Sequence, residues 1–167
     1  MYKKGHYGAA LLAYAPLGTV TLLVGFPNAA TAGGIATALL ATVPDLDMKI
    51  PSVAHRGPTH TVQFAVMVGA LLAVLSLTVA VTSDVSPIVM IGSTVFGFLT
   101  GSVAIGSHIA ADALTPMGVE PFGTDGPHYS LGWVRAANQL ANYALLGVGL
   151  SAVATGAWLA EALGAGM

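Results

Sequence analysis

Five long apolar stretches alternate with polar breaks along the chain, and each reads as a helix in a bilayer. The first covers about 7–26, where Pro16 and Gly18 predict a kink that neighbouring helices can accommodate. Pro27-Asn28 predicts the turn after it. The second, about 29–43, is short for a hydrocarbon core about 30 Å thick, so little tilt or partial insertion is expected. Pro44 ends it, because the residue before a proline avoids the helical region. A polar loop over 44–58 leads into the third stretch, about 59–82, with Pro58 and His60 expected in its first turn. Ser83-Asp84-Val85-Ser86-Pro87 predicts a tight turn. The fourth stretch, about 88–113, contains Gly97-x-x-x-Gly101, a pattern for close helix contact. A second polar loop, about 114–135, is rich in Pro and Gly and carries Glu120, Asp125 and His128. The fifth stretch covers about 136–162.

Composition makes lipid the solvent. The chain is 55% hydrophobic and only 7% charged, against about 25% charged in soluble domains, so it cannot cover a water-facing surface. The expected fold is an all-α integral membrane protein of about five transmembrane helices, forming one domain over 1–167. There is no cysteine, which excludes disulfides and thiolate metal sites. With a net charge of −2 and no basic run, no nucleic-acid partner is expected. Ala30-Thr31-Ala32 has the small-x-small form of a signal-peptide cleavage site. The apolar stretch before it is long for a signal, so it is read as a retained helix.

The basic residues set the orientation. With five crossings, Lys3, Lys4, Lys49, Arg56 and Arg135 all fall on one side, which the positive-inside rule makes the cytoplasm. The N-terminus is then cytoplasmic, in a multi-pass protein of the plasma or inner membrane. The same topology brings ligand-type side chains to one depth: His6, Asp45, Asp47, His55, His60, His108 and Asp112 all lie at cytoplasmic segment ends. Ionisable residues at such positions in apolar segments are rare and usually functional.

His108 and Asp112 are spaced i, i+4 and share a helix face. Asp45 and Asp47 follow Pro44, where the chain turns and both are expected to point inward. With His6 and His60 they give three imidazoles and three carboxylates, and His55 stands beside them. That set exceeds the needs of one tetrahedral ion. It suits two divalent ions clamping a phosphoester, zinc first and manganese second.

Gly5-His6, Pro44-Asp45-Leu46-Asp47, the run from His55 to Thr61 (His-Arg-Gly-Pro-Thr-His-Thr) and the run from Ser107 to Val119 resemble the motifs of the YdjM-like membrane-bound, metal-dependent hydrolases. Two details depart from the pattern: Thr61 where the family usually has Ser, and Glu120-Pro121-Phe122-Gly123 after Val119. The resemblance implies that His6, Asp45, Asp47, His60, His108 and Asp112 are metal ligands, with His55 and Arg56 next to them or on the substrate. The expected activity is hydrolysis of a lipid or lipid-linked phosphoester at the cytoplasmic interface, with membrane lipid as partner. Asp45 or Asp47 would take a proton from water, while Arg56 and Lys49 would hold the phosphate. Three rivals use the same residues. A cation or proton transporter needs a polar path to the outer side, where only Thr, Ser, Asp84 and Glu161 are offered. A haem protein with paired His ligands leaves the aspartates unexplained. A structural metal staple uses the same ligand types.

Overall fold

The computed structural model describes residues 1–164. Its five α-helices are α1 (Lys3–Leu23), α2 (Pro27–Leu40), α3 (Val62–Thr82), α4 (Pro87–Ala113) and α5 (Gln139–Ala162). No strand forms among the described residues; one isolated antiparallel bridge joins Val119 to Tyr129 in the α4–α5 loop. Four stretches are long and apolar enough to span a membrane: Pro27–Lys49, Val62–Thr82, Pro87–Ala113 and Gln139–Ala162. The α1 helix falls outside that set. At 1.5 Å per residue, α2 alone is about 21 Å long. It reaches a spanning length only together with the turn that continues it to Lys49.

Two helix starts, those of α3 and α5, are set by side-chain caps rather than by the first apolar residue. Thr61 accepts a hydrogen bond from the Phe64 N–H at 3.2 Å, so α3 begins at Val62. Contrary to the sequence expectation, His60 is not in that helix. It closes a separate 3-10 turn, Pro58–His60. Asn138 caps α5 in the same way, accepting from Ala141 N–H at 3.1 Å, which delays that helix to Gln139. Pro27 is the first residue of α2 rather than part of a turn.

Small residues decide how the helices pair, as expected where lipid supplies no hydrophobic drive between them. The α1 and α5 helices run parallel: Gly5 lies against Asn142, Gly8 against the Leu145 backbone, and Gly156 against Thr19. A Cβ on Gly8 would strike the Leu145 carbonyl, and one on Gly149 would strike that of Gly8. The α3 and α4 helices form an antiparallel hairpin in which Gly69 meets Phe98 and Ser102, and Gly97 meets Leu72 and Ser76. The α2 helix packs on α1 and α4, pinned where buried Tyr14 donates to the Ala30 carbonyl at 2.6 Å. The α4 helix contacts α1, α2 and α3, so its last turn meets the loops of its neighbours. Beneath those loops Ala65, Val68, Ile105, Ile109 and Val119 form an apolar floor.

Candidate metal centre

Four chain segments deliver side chains to the loop end of the bundle. The first turns of α1 bring His6, and the last turn of α4 brings His108 and Asp112. The 3-10 turn Pro44–Lys49 brings Asp45, and the turn Pro58–His60 brings His60. His6, His60, His108 and Asp112 are at most 1% exposed; Asp45, at 21%, is the open side. The C-terminal ends of α2 and α4 both point here, and the negative end of a helix dipole favours a cation.

The donor atoms fall into a regular figure. His60 Nε2 and His108 Nε2 are 3.0 Å apart. His60 Nε2 stands 3.7 Å from Asp45 Oδ1 and 3.6 Å from Asp112 Oδ2. His108 Nε2 stands 3.6 Å from each of the same two oxygens. Four ligands about 2.0–2.2 Å from one ion form a tetrahedron with edges of about 3.3–3.6 Å, so these separations fit a single ion. The opposite carboxylate oxygens face His6, whose Nε2 is 3.8 Å from Asp45 Oδ2 and 3.7 Å from Asp112 Oδ1. Asp112 Oδ1 is also met by the Met1 amino group at 2.5 Å and by Arg56 Nη2 at 3.0 Å. The Met1 carbonyl lies 3.0 Å from His6 Nε2, and the rings of His6 and His108 stack at 3.8 Å.

Protons on the far sides of the rings fix what faces inward. His108 Nδ1 is 2.7 Å from the Ala41 carbonyl, which can only accept, so Nδ1 carries the proton. That carbonyl lies just past the end of α2 at Leu40, and no backbone N–H donates to it. Thr59 donates to Asp47 Oδ2 at 2.9 Å and has thereby used its proton. His60 Nδ1, 3.0 Å from the Thr59 oxygen, must therefore donate to it. Both Nε2 lone pairs then face each other across 3.0 Å, an arrangement that repels until a cation sits between them. His60, His108, Asp45 and Asp112 therefore fit a divalent metal in donor type, spacing and protonation, whereas His6 Nε2, 3.0 Å from the Met1 carbonyl, carries a proton in this structure.

Asp47 is placed differently from the sequence expectation. In a turn with about three residues per revolution, positions i and i+2 point about 120° apart, so Asp45 enters the cluster while Asp47 lies behind His60. The buried Asp47 carboxylate accepts from His55 Nδ1 at 2.9 Å, from Thr59, and from the Arg56 N–H at 3.2 Å, and is 3.3 Å from His60 Nδ1. It orients ligands, the usual role of a carboxylate behind a metal-binding histidine. Asp47→Asn is expected to weaken metal affinity by about 10–100-fold without abolishing it. Equilibrium titration with a chelator buffer checks this, and total loss would put Asp47 among the ligands.

Arg56 also departs from expectation. It adopts a left-handed backbone, φ 63°. Its guanidinium donates to Asp112 Oδ1, to Thr115 Oγ1 at 3.3 Å and to the Gly118 carbonyl, so it ties the cluster to the α4–α5 loop. Gly118, itself at φ 63°, has room for no side chain, because a Cβ would crowd His128 and Tyr129. His55, side chain 35% exposed, groups with Asp45 and His60 as a second set of donors within 4.8 Å. The first such set is His6, Asp45, His108 and Asp112. Lys49 is exposed at the end of its turn, and His128 lies on the loop 3.6 Å from Glu120.

Sequence reading missed three partners: Thr59, the Ala41 carbonyl and Asn142. Thr59 adjoins His60 in the motif, a signal that was present. Asn142 accepts from the Tyr2 N–H at 3.0 Å and donates to the Ala136 and Asn138 carbonyls, which seats the start of α1 on α5. No curated protein and no solved structure matches the chain. The sequence profile described as YdjM inner membrane protein matches residues 1–165, and a chain with these helices and this His/Asp cluster belongs to that family.

Proposed function

We propose that this chain is a membrane-embedded hydrolase that uses two divalent ions to cleave a phosphoester at the cytoplasmic surface. The carrying observation is the near-regular set of separations among His60, His108, Asp45 Oδ1 and Asp112 Oδ2, with the other oxygen of each aspartate turned to His6. One ion would be held by the first four atoms. The second would be held by His6, Asp45 and Asp112, and its binding would require His6 Nε2 to give up the Met1 carbonyl. Three imidazoles and two carboxylates favour zinc, with manganese next. Such a pair supplies Lewis acidity that polarises a phosphoryl oxygen and acidifies water.

The remaining roles belong to the chain. His55 donates Nδ1–H to Asp47, which leaves its Nε2 free to take a proton on the exposed side of the cluster. Arg56 holds Asp112 in position, and Lys49 offers an exposed positive charge near the membrane surface. The cytoplasmic placement rests on Lys3, Lys4, Lys49, Arg56 and Arg135 all lying at the cluster end of the bundle.

The test is elemental analysis of protein purified without chelator or nickel affinity, followed by a turnover screen. Two ions per chain are expected, with faster cleavage of phospholipids or lipid-linked phosphates than of short soluble phosphoesters. One ion would overturn the bridged pair, and preference for soluble compounds would overturn the lipid assignment. Near-complete burial of four ligands favours one other reading, a metal that staples four segments together. Full metal loading with no turnover of any phosphoester would favour that reading, or a substrate outside this class.

A further inference from the structure

A cavity of about 390 Å³ opens where α1 and α5 begin side by side, and no side chain of the metal cluster lines it. Its lining comes from those two helix starts alone: Tyr2, Lys3 and Lys4 of the first, and Gln139, Asn142 and Tyr143 of the other. The volume lies within the range of about 300–1,000 Å³ typical of ligand pockets. Asn142 is buried and already engaged, by the Tyr2 N–H and by the Ala136 and Asn138 carbonyls. The groups left to meet a ligand are therefore the two lysines, Gln139 and Tyr143.

Three observations say what that ligand is. First, every charged side chain in the lining is positive. Lys3 and Lys4 are two of only five Lys and Arg residues in the chain, and neither pairs with a carboxylate among the described residues. Second, the polar groups are poised to donate. Lys4 donates to the Tyr143 hydroxyl oxygen and sits 4.0 Å from the centre of that ring, which leaves the tyrosine's own proton for another acceptor. Both helices start here, so the positive ends of two helix dipoles add to the lysines. Third, the cavity heads a helix that faces lipid. Leu140 is 80% exposed and Leu150 55%, along a stretch apolar enough to span. Lys3, Lys4 and Tyr143 thus stand at headgroup depth, where tyrosine rings settle.

Basic pockets between membrane helices are where anionic headgroups are held. A zwitterionic headgroup fits this one poorly, because its ammonium would meet two like charges and no carboxylate. We infer that the cavity binds the phosphate of an anionic phospholipid without a headgroup cation, of the phosphatidylglycerol type, and that the bound headgroup clamps α1 to α5. Lys4 precedes His6 by two residues, so the clamped turn is the one that carries His6. The inference is independent of the hydrolase reading, since this lipid is a lodged ligand and not the substrate.

The test titrates phosphatidylglycerol into the detergent-solubilised protein, reading binding by native mass spectrometry and clamping by thermal unfolding. Phosphatidylglycerol is expected to bind about tenfold more tightly than phosphatidylcholine. At a hundredfold excess over its Kd it should raise Tm by about 5–10 °C. Lys4→Gln should weaken binding about fivefold, and adding Lys3→Gln should bring the loss to roughly 25-fold. Lys49→Gln removes the same charge from the same end of the bundle, outside the cavity, and should bind like wild type. Equal loss in Lys49→Gln and Lys4→Gln overturns the cavity in favour of diffuse surface attraction. Equal affinity for phosphatidylcholine overturns the selection for an anionic headgroup. Selective binding with no rise in Tm overturns the clamp. Inorganic phosphate that raises Tm as much as phosphatidylglycerol overturns the lipid and assigns a free anion. The comparison of the two lipids on wild type needs no variant, so it decides the proposal even where a substitution fails to fold. Phosphoester turnover enters none of these readouts, so failure of the hydrolase reading is scored separately.

Discussion

Asp112→Asn is expected to strip the cluster of metal. Both oxygens of this carboxylate face positive or metal-type partners: Oδ2 stands 3.6 Å from His60 and His108, and Oδ1 meets His6 and Arg56. An amide keeps the shape but loses the charge. Its NH₂ must point either at the metal-binding side or at the Arg56 donors, and both placements are repulsive. Breaking a buried ionic contact of this kind costs about 3–5 kcal/mol, or two to four orders of magnitude in affinity. Metal per chain should therefore fall below about a tenth of wild type after purification. Circular dichroism should be little changed, since Asp112 sits in the last turn of α4 and its contacts to other segments, the Met1 amino group, His6 and Arg56, lie at the loop end of the bundle. His128→Ala, half exposed on the loop, should keep full metal. Full metal retention in Asp112→Asn would remove this residue from the ligands, and equal loss in both variants would enlarge the site to include the loop.

Gly8→Leu should destabilise the protein most. Gly8 and Gly149 bring the α1 and α5 backbones into direct contact, and no side chain fits between them. Forcing one in costs at least about 3 kcal/mol, since a backbone cannot yield as a side-chain tip does. His6 lies two residues before Gly8 and must move with α1, so metal affinity should fall as well. Gly147→Ala on the same α5 has open space around it and should be neutral or stabilising by about 0.5–1 kcal/mol. Thermal unfolding in detergent with metal titration reads both effects. A wild-type Tm for Gly8→Leu would mean that the α1–α5 contact does not hold the bundle together.

The sequence made the helices and the depth of the cluster legible because both follow from local rules. Apolar length marks the segments, prolines and polar clusters mark their ends, and i, i+4 spacing put His108 and Asp112 on one face. The roles of Asp45 and Asp47 were not separable. Their spacing is ambiguous until the turn is known, and a 3-10 turn sends them to different places. His60 was assigned to α3 because the apolar run starts beside it, while the Thr61 cap holds it out. The guanidinium of Arg56 was read as free for substrate, since nothing in the sequence pairs it with Asp112 or with the Gly118 carbonyl. The parallel pairing of α1 with α5 joins the first and last helices, and periodicity within either one is silent about that partner.

The Ala41 carbonyl gives the site a dependence that no ligand inventory contains. It is available to His108 because α2 stops at Leu40, so that no backbone N–H takes it. A designer who grafted the three histidines and two aspartates onto an uninterrupted five-helix scaffold would lose this acceptor to the helix's own hydrogen bonding. His108 would then be free to place its proton on either nitrogen, and half the metal-facing lone pair would be surrendered to the wrong tautomer. The portable unit is therefore the ligands together with one broken helix.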